Sequence, residues 1–286
     1  MTHNTKLLPK NSLKKYSKLL EDKKSLLPIM KITYFLFYLT CLSCINSAYS
    51  QVIKQERPNI IFFIADDMLP EHFNCLTQGK DKYLTPNLDR LAREGTLMLQ
   101  QHVVSPVCTP SRYNVLTGNF ASRAQNHYFK QNTKKNGQSI VEFNTHILST
   151  DRTLPALLKA AGYTTGMAGK DHVVEVAGLK PFKNFKSSAQ DPANKAQLIA
   201  NHDHTRQAMI EIGFDFADSL YHNNPSFLGL YEVAVQNMDW ITDAGVRFLK
   251  QARTDPFFLY FATTVPHGPT QAKRSWKANP LLTAIG

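Results

Sequence analysis

The chain has 286 residues and a formal net charge of +11, of which +6 lies in the first 50 residues and +5 in the remaining 236. Charge distributed in this way, with no Lys/Arg stripe and no interleaved aromatics, excludes the usual nucleic-acid-binding surface and leaves a mild attraction to anionic substrates. The length accommodates one packed core, and no internal repeat or low-complexity tract interrupts it.

Residues 1–29 read as a Lys-rich extension ahead of a second start at Met30. From there the chain has the anatomy of a secretory signal over residues 30–50: basic Met30-Lys31, apolar Ile32 to Ile45, and small Ala48 and Ser50 before a cut at Gln51. The apolar run is too short for a stable membrane span. A lipid anchor on Cys44 is disfavoured, because Cys41 stands where a leucine is usual. The expectation is export to a periplasm or beyond, with residues 51–286 as the mature part. Processing at Gln51 would leave Cys75 and Cys108, and two cysteines in an oxidising compartment point to a disulfide.

The mature part reads as α/β. "RPNIIFFIADD" is a continuous apolar run ending in acids, the pattern of a strand buried on both faces. "TPNLDRLAREG" predicts a helix with Thr85 as N-cap, Pro86 at its first position, Leu88, Leu91 and Ala92 on one face, and Gly95 past its end. "RTLPALLKAAGYTTGMAGK" predicts a capped helix closing at Gly162 and then a short strand to Gly169. "VAVQNMDWITDAGVRFLKQARTDPFFLYFATT" predicts a long helix, an Asp-Pro break and another apolar strand. The polar stretches Lys130–Leu148 and Lys180–Asn224 read as loops or insertions, with His202-Asp203-His204 as an ordinary His-rich loop. Strands alternating with helices predict a mostly parallel sheet sandwiched by helices.

Ligands in such sheets bind beyond the carboxyl ends of the strands, and polar groups recur there. Asp66 and Asp67 follow "IIFFIA", Lys170 and His172 follow "GMAG", and His267 follows "LYFATTVP". Each has an ordinary alternative as a helix cap, a turn residue or a fixed loop histidine. Adjacent carboxylates repel unless a cation lies between them, and a hard divalent ion such as Ca²⁺ suits oxygen ligands. "CTPSR" offers a helix start, with Thr109 as cap, Pro110 in the first turn and Arg112 pointing back within it. That terminus would attract an anion and hold it facing Cys108.

"CTPSR" followed by "LTG", with "ADD" upstream and "GKDH" and "VPHGP" downstream, resembles the formylglycine-dependent sulfatase family, from about Arg57 to Pro269. The resemblance implies an alkaline-phosphatase-like α/β fold of which this is the N-terminal portion, the C-terminal part being absent. It implies Asp66, Asp67 and Cys108 as ligands of Ca²⁺, with Mg²⁺ as the alternative. It also implies oxidation of Cys108 to formylglycine by a separate maturation enzyme. The formylglycine hydrate would then be the nucleophile, Arg112 would hold it, and Lys170 would bind the sulfate group. His172 would take a proton from the second hydroxyl, and His267 would lie near the scissile oxygen. One hydroxyl attacks sulfur and expels the alcohol, giving a covalent sulfate ester; deprotonating the other then collapses the hemiacetal, releasing sulfate and restoring the aldehyde.

The implied substrate is a sulfate ester of a carbohydrate or aryl alcohol. Two positions depart from the family pattern: Asp171 stands where an aromatic residue is usual between the lysine and the histidine, and Asn119 where an arginine commonly follows "LTG". The second acidic/amide ligand pair and another lysine, which the family supplies later in the chain, are absent from the sequence given, so the expectation is weak Ca²⁺ binding and slow or no turnover by residues 51–286 alone. Alternatives are a phosphonate monoester or phosphodiester hydrolase with the same machinery, a catalytically incomplete binding protein, and a secreted domain with a Cys75–Cys108 disulfide.

Overall fold

The structure, a computed structural model, describes residues 57–251, 253–267, 279 and 281–286. The expected extension at 1–29 and signal at 30–50 lie outside the described residues. Among those described, no helix is long and apolar enough to cross a membrane.

Four strands, β1 (Ile60–Ile64), β2 (Thr164–Lys170), β3 (Phe216–Tyr221) and β4 (Phe257–Ala262), form one sheet in the order β1-β4-β2-β3. Every pairing is parallel; β1 runs beside β4 from Ile60 opposite Phe258 to Ile64 opposite Ala262. Among the described residues six α-helices accompany them: α1 (Pro86–Glu94), α2 (Cys108–Thr117), α3 (His127–Asn136), α4 (Leu154–Ala160), α5 (Pro192–Glu211) and α6 (Met238–Lys250). The expected α/β class, a parallel sheet between helices, is what the chain forms.

Strand alternation divides the core between the two faces of the sheet. Met167, Phe258, Tyr260 and Ala262 point to one side and pack with Tyr113 and Leu116 of α2 and Ala208 and Met209 of α5. Ala168 and Phe261 point to the other and pack with Ile241 and Ala244 of α6. Close approach here relies on glycine. A side chain at Gly166 would meet the Phe248 ring at 2.5 Å, and one at Gly245 would meet Phe261 at 2.6 Å.

Three readings of the sequence need correction. The first strand is not buried on both faces: Ile61 and Phe63 remain 54% and 52% exposed. They share the side of Phe261, on which Phe63 stacks at 5.5 Å, and among the described residues α6 covers β2 and β3 rather than this edge. Next, Lys130–Leu148 contains most of α3, and Lys180–Asn224 contains α5 and β3, so neither is merely a loop. α5 starts at Asp191, whose carboxylate accepts the Ala193 and Asn194 N–H groups, with Pro192 at the first position. His202 therefore lies on a helix, buried, its Nε2 accepting from the Leu220 N–H at 3.2 Å. Finally, α1 has the expected bounds, but Leu91 is exposed and Asp89 is the buried residue. The Thr85 hydroxyl makes no cap and instead accepts from the Asn74 N–H at 3.1 Å.

Candidate active site

Because the four strands are parallel, their carboxyl ends meet along one edge, and the polar residues that follow them converge there. Asp66 follows β1, Lys170 ends β2, Asn224 follows β3 and His267 follows β4, while α2 brings Cys108 and Arg112.

Asp66 is the hub. It is 3% exposed; its Oδ1 accepts from Arg112 Nη2 at 3.2 Å and its Oδ2 from Lys170 Nζ at 2.5 Å. Burial alone would raise its carboxyl, but the charges of Arg112 and Lys170 outweigh burial and hold it below its ordinary value. Arg112 is fully buried and donates through Nη1 to the Lys170 carbonyl at 2.8 Å, so one guanidinium ties α2 to the ends of both β1 and β2. Burial works against its charge; Tyr260 and Asp66 prevail and raise it. Lys170 Nζ also donates to Asn224 Oδ1. Burial pulls Lys170 below its ordinary value, and the Asp66 carboxylate opposes that shift.

Cys108 opens α2 rather than preceding it. Val107 is the N-cap and no side chain caps the helix, so Thr109 is not the cap expected. The Thr109 hydroxyl instead donates to the His172 carbonyl at 3.0 Å. Cys108 Sγ lies 3.1 Å from His172 Nδ1. Burial, followed by the charges of Lys170 and Arg112, pushes His172 down to about 3, so its ring is a neutral proton acceptor at neutral pH. His172 sits at φ 61°, an uncommon conformation for a side-chain-bearing residue, and continuation of the β2–β3 ladder pins it there. The Asp171 N–H donates to the Tyr221 carbonyl at 2.9 Å and the His172 N–H to the His222 carbonyl at 3.1 Å.

Asp67 diverges from Asp66. Half-exposed and at φ 60°, it meets His267 Nε2 at 3.5 Å through Oδ2. The two carboxylates supply oxygen of the kind a hard cation takes. Among the described residues no three His, Cys, Asp or Glu converge on a metal position. Cys75 and Cys108 are both free thiols, so the expected alternative of a disulfide between them is not formed.

The structure thus brings the predicted residues into three adjoining contacts: Asp66 with Arg112 and Lys170, Cys108 with His172, and Asp67 with His267. Sequence reasoning missed Asn224, which follows a strand hidden in the stretch read as a loop; the apolar "FADSLY" before a polar, Pro-stopped "HNNP" was its available signal. It also missed the burial of Asp171. Asp171 Oδ1 accepts the Val173 and Val174 N–H groups at 3.2 and 3.0 Å, Oδ2 has no hydrogen-bond partner among the described residues, and burial pushes the carboxyl up to about 7.

N-acetylgalactosamine-6-sulfatase of Mus musculus is 29% identical over 236 residues, covering 81% of this chain and 44% of that protein. The arylsulfatase of Klebsiella aerogenes is 29% identical over 247 residues, 82% of this chain and 48% of its own length. The chain therefore spans less than half the length of either relative. A solved structure of a protein in complex with its substrate D-glucosamine-2-N,6-O-disulfate matches at 25% identity with a TM-score of 0.48, covering 74% of this chain and 35% of that one. The model of the family described as Sulfatase matches residues 58–280, a span that takes in all four strands and the cluster at their carboxyl ends, and the chain belongs to that family.

Proposed function

We propose that this chain carries the machinery of a sulfuric ester hydrolase that acts on sulfate esters of carbohydrates or aryl alcohols outside the cytoplasm, with Cys108 as precursor of the nucleophile. The observation that supports this most is the contact of Cys108 Sγ with the neutral His172 ring at 3.1 Å, beside the buried cations Arg112 and Lys170. A nucleophile, a proton acceptor and two positive charges for an anionic group are the parts that transfer of a charged group requires.

In this reading Cys108 is oxidised to formylglycine by a maturation enzyme, and the hydrated aldehyde would supply one hydroxyl to attack sulfur and displace the alcohol and a second whose deprotonation releases sulfate and restores the aldehyde. His172, at the atom contacting residue 108, accepts that second proton. Arg112 and Lys170 oppose the negative charge of the sulfate group, while Asp66 keeps both cations aligned. His267, oriented by Asp67, protonates the departing alcohol oxygen. Asp66 and Asp67, with residue 108, would supply ligands to Ca²⁺ or Mg²⁺, which when bound offsets the charge developing on the transferred group.

The test is hydrolysis of 4-nitrophenyl sulfate beside an aryl phosphonate monoester by protein purified from its native host. The reading expects the sulfate to be the better substrate and Cys108→Ala to abolish turnover. Preference for the phosphonate, or retained turnover in Cys108→Ala, would overturn it.

A further inference from the structure

His172 borders two environments. Its Nδ1 faces Cys108, and the Lys170 and Arg112 charges bear on the ring. The residue also lines a half-open cavity of about 290 Å³, together with Tyr128 of α3, His146, Glu175, His222 and Asn223, with aliphatic side chains between them. That volume is at the lower end for small-molecule sites and suits one ring rather than an oligosaccharide.

The lining is rich in hydrogen-bonding groups and poor in positive charge. Burial lowers His146 and brings His222 to about 4, so both rings are neutral at neutral pH. Among the described residues no lysine or arginine lines the cavity, and Glu175 is its carboxylate. Neutral imidazoles, an amide and a phenol offer donors and acceptors to hydroxyls along an aromatic and aliphatic wall. A second anionic group entering here would lose water, gain no counter-charge and face Glu175.

Resting on the sulfatase reading, we propose that this cavity is the subsite for the alcohol side of the ester and that it selects an uncharged sugar ring over a uronic acid. The sulfate goes to the Arg112 and Lys170 side and the neutral ring to the side of His146 and His222. Glu175 sets the selectivity and His146 and His222 hold the ring.

Isothermal titration of the full chain with three probes tests this: an N-acetylhexosamine 6-sulfate, a hexuronic acid 2-sulfate and inorganic sulfate. The neutral ester is expected to bind at least about tenfold more tightly than either other probe, a difference of about 1.4 kcal/mol. Glu175→Gln should narrow the gap to the uronate ester, and His146→Ala should bring the neutral ester toward inorganic sulfate. Equal binding of the two esters, or esters no tighter than inorganic sulfate, would overturn the subsite while leaving the sulfatase reading intact. Failure of all three probes to bind, together with no hydrolysis of 4-nitrophenyl sulfate by the native protein, would remove both.

Discussion

Replacing Asp171 with asparagine isolates one buried carboxyl at the heart of the site. Asp171 is 1% exposed, and its pKa rises from 3.8 to about 7 because burial disfavours the carboxylate. The folded chain therefore holds a proton that the unfolded chain has released between those two values. Stability from this group is fully present below pH 3.8 and is lost as pH rises through about 7. The full effect is about 4 kcal/mol, of which about 3 kcal/mol falls between pH 4.5 and 8. Asparagine keeps an oxygen to accept the Val173 and Val174 N–H groups and does not titrate. His172 and His222, whose lowered values make stability fall with acid, titrate alike in both proteins and cancel in the difference. Urea unfolding followed by circular dichroism at pH 4.5 and pH 8 should show the Asp171→Asn protein gaining about 3 kcal/mol on the parent as pH rises. A stability difference that stays the same at both pH values would refute a protonated, buried Asp171.

Arg112→Ala should destabilise the fold by about 3–5 kcal/mol, since it leaves the Asp66 carboxylate buried with one of its two cations gone; a loss under about 1 kcal/mol in urea unfolding would contradict the hub role. The His172 ring should keep its neutral NMR signature from pH 8 down to pH 5, because its value lies near 3, and a midpoint near 6.5 would show that the ring is solvated rather than enclosed. Gly169→Ala should unfold the chain or cost several kcal/mol, roughly the top of the single-mutation range: φ is +99°, and the new carbon would sit 1.8 Å from the Ala262 carbonyl oxygen. A variant with the parent's thermal midpoint would mean that β2 and β4 do not approach this closely.

Much of the fold was legible where local chemistry and tertiary burial agree. β4 is a short apolar run, β2 follows a helix that closes at Gly162, and α4 carries a Thr153 cap whose hydroxyl accepts the Ala156 N–H, so chain-local signals sufficed. α5 was hidden because its buried face includes His202 and Thr205 beside Leu198, Ala208 and Met209, which blurs the apolar periodicity. β3 was hidden with it, Asp218 and Ser219 interrupting the apolar run. In the site, polar residues at strand ends stood out because parallel strands deliver them to one edge. Asn224 did not, since its strand went unrecognised, and Asp171 did not, since nothing local distinguishes a buried carboxylate from an exposed one. Thr109 was misread because its hydroxyl serves His172, 63 residues away, instead of its own helix. The exposed face of β1 follows from which strands lie beside it, which an apolar run alone does not specify.

The measurement closest to the central claim is the mass of the peptide spanning Cys108 in protein taken from its native host. The account predicts an aldehyde at residue 108, captured by a hydrazide reagent. A thiol at that position, or a disulfide to Cys75, in catalytically tested native protein would contradict it.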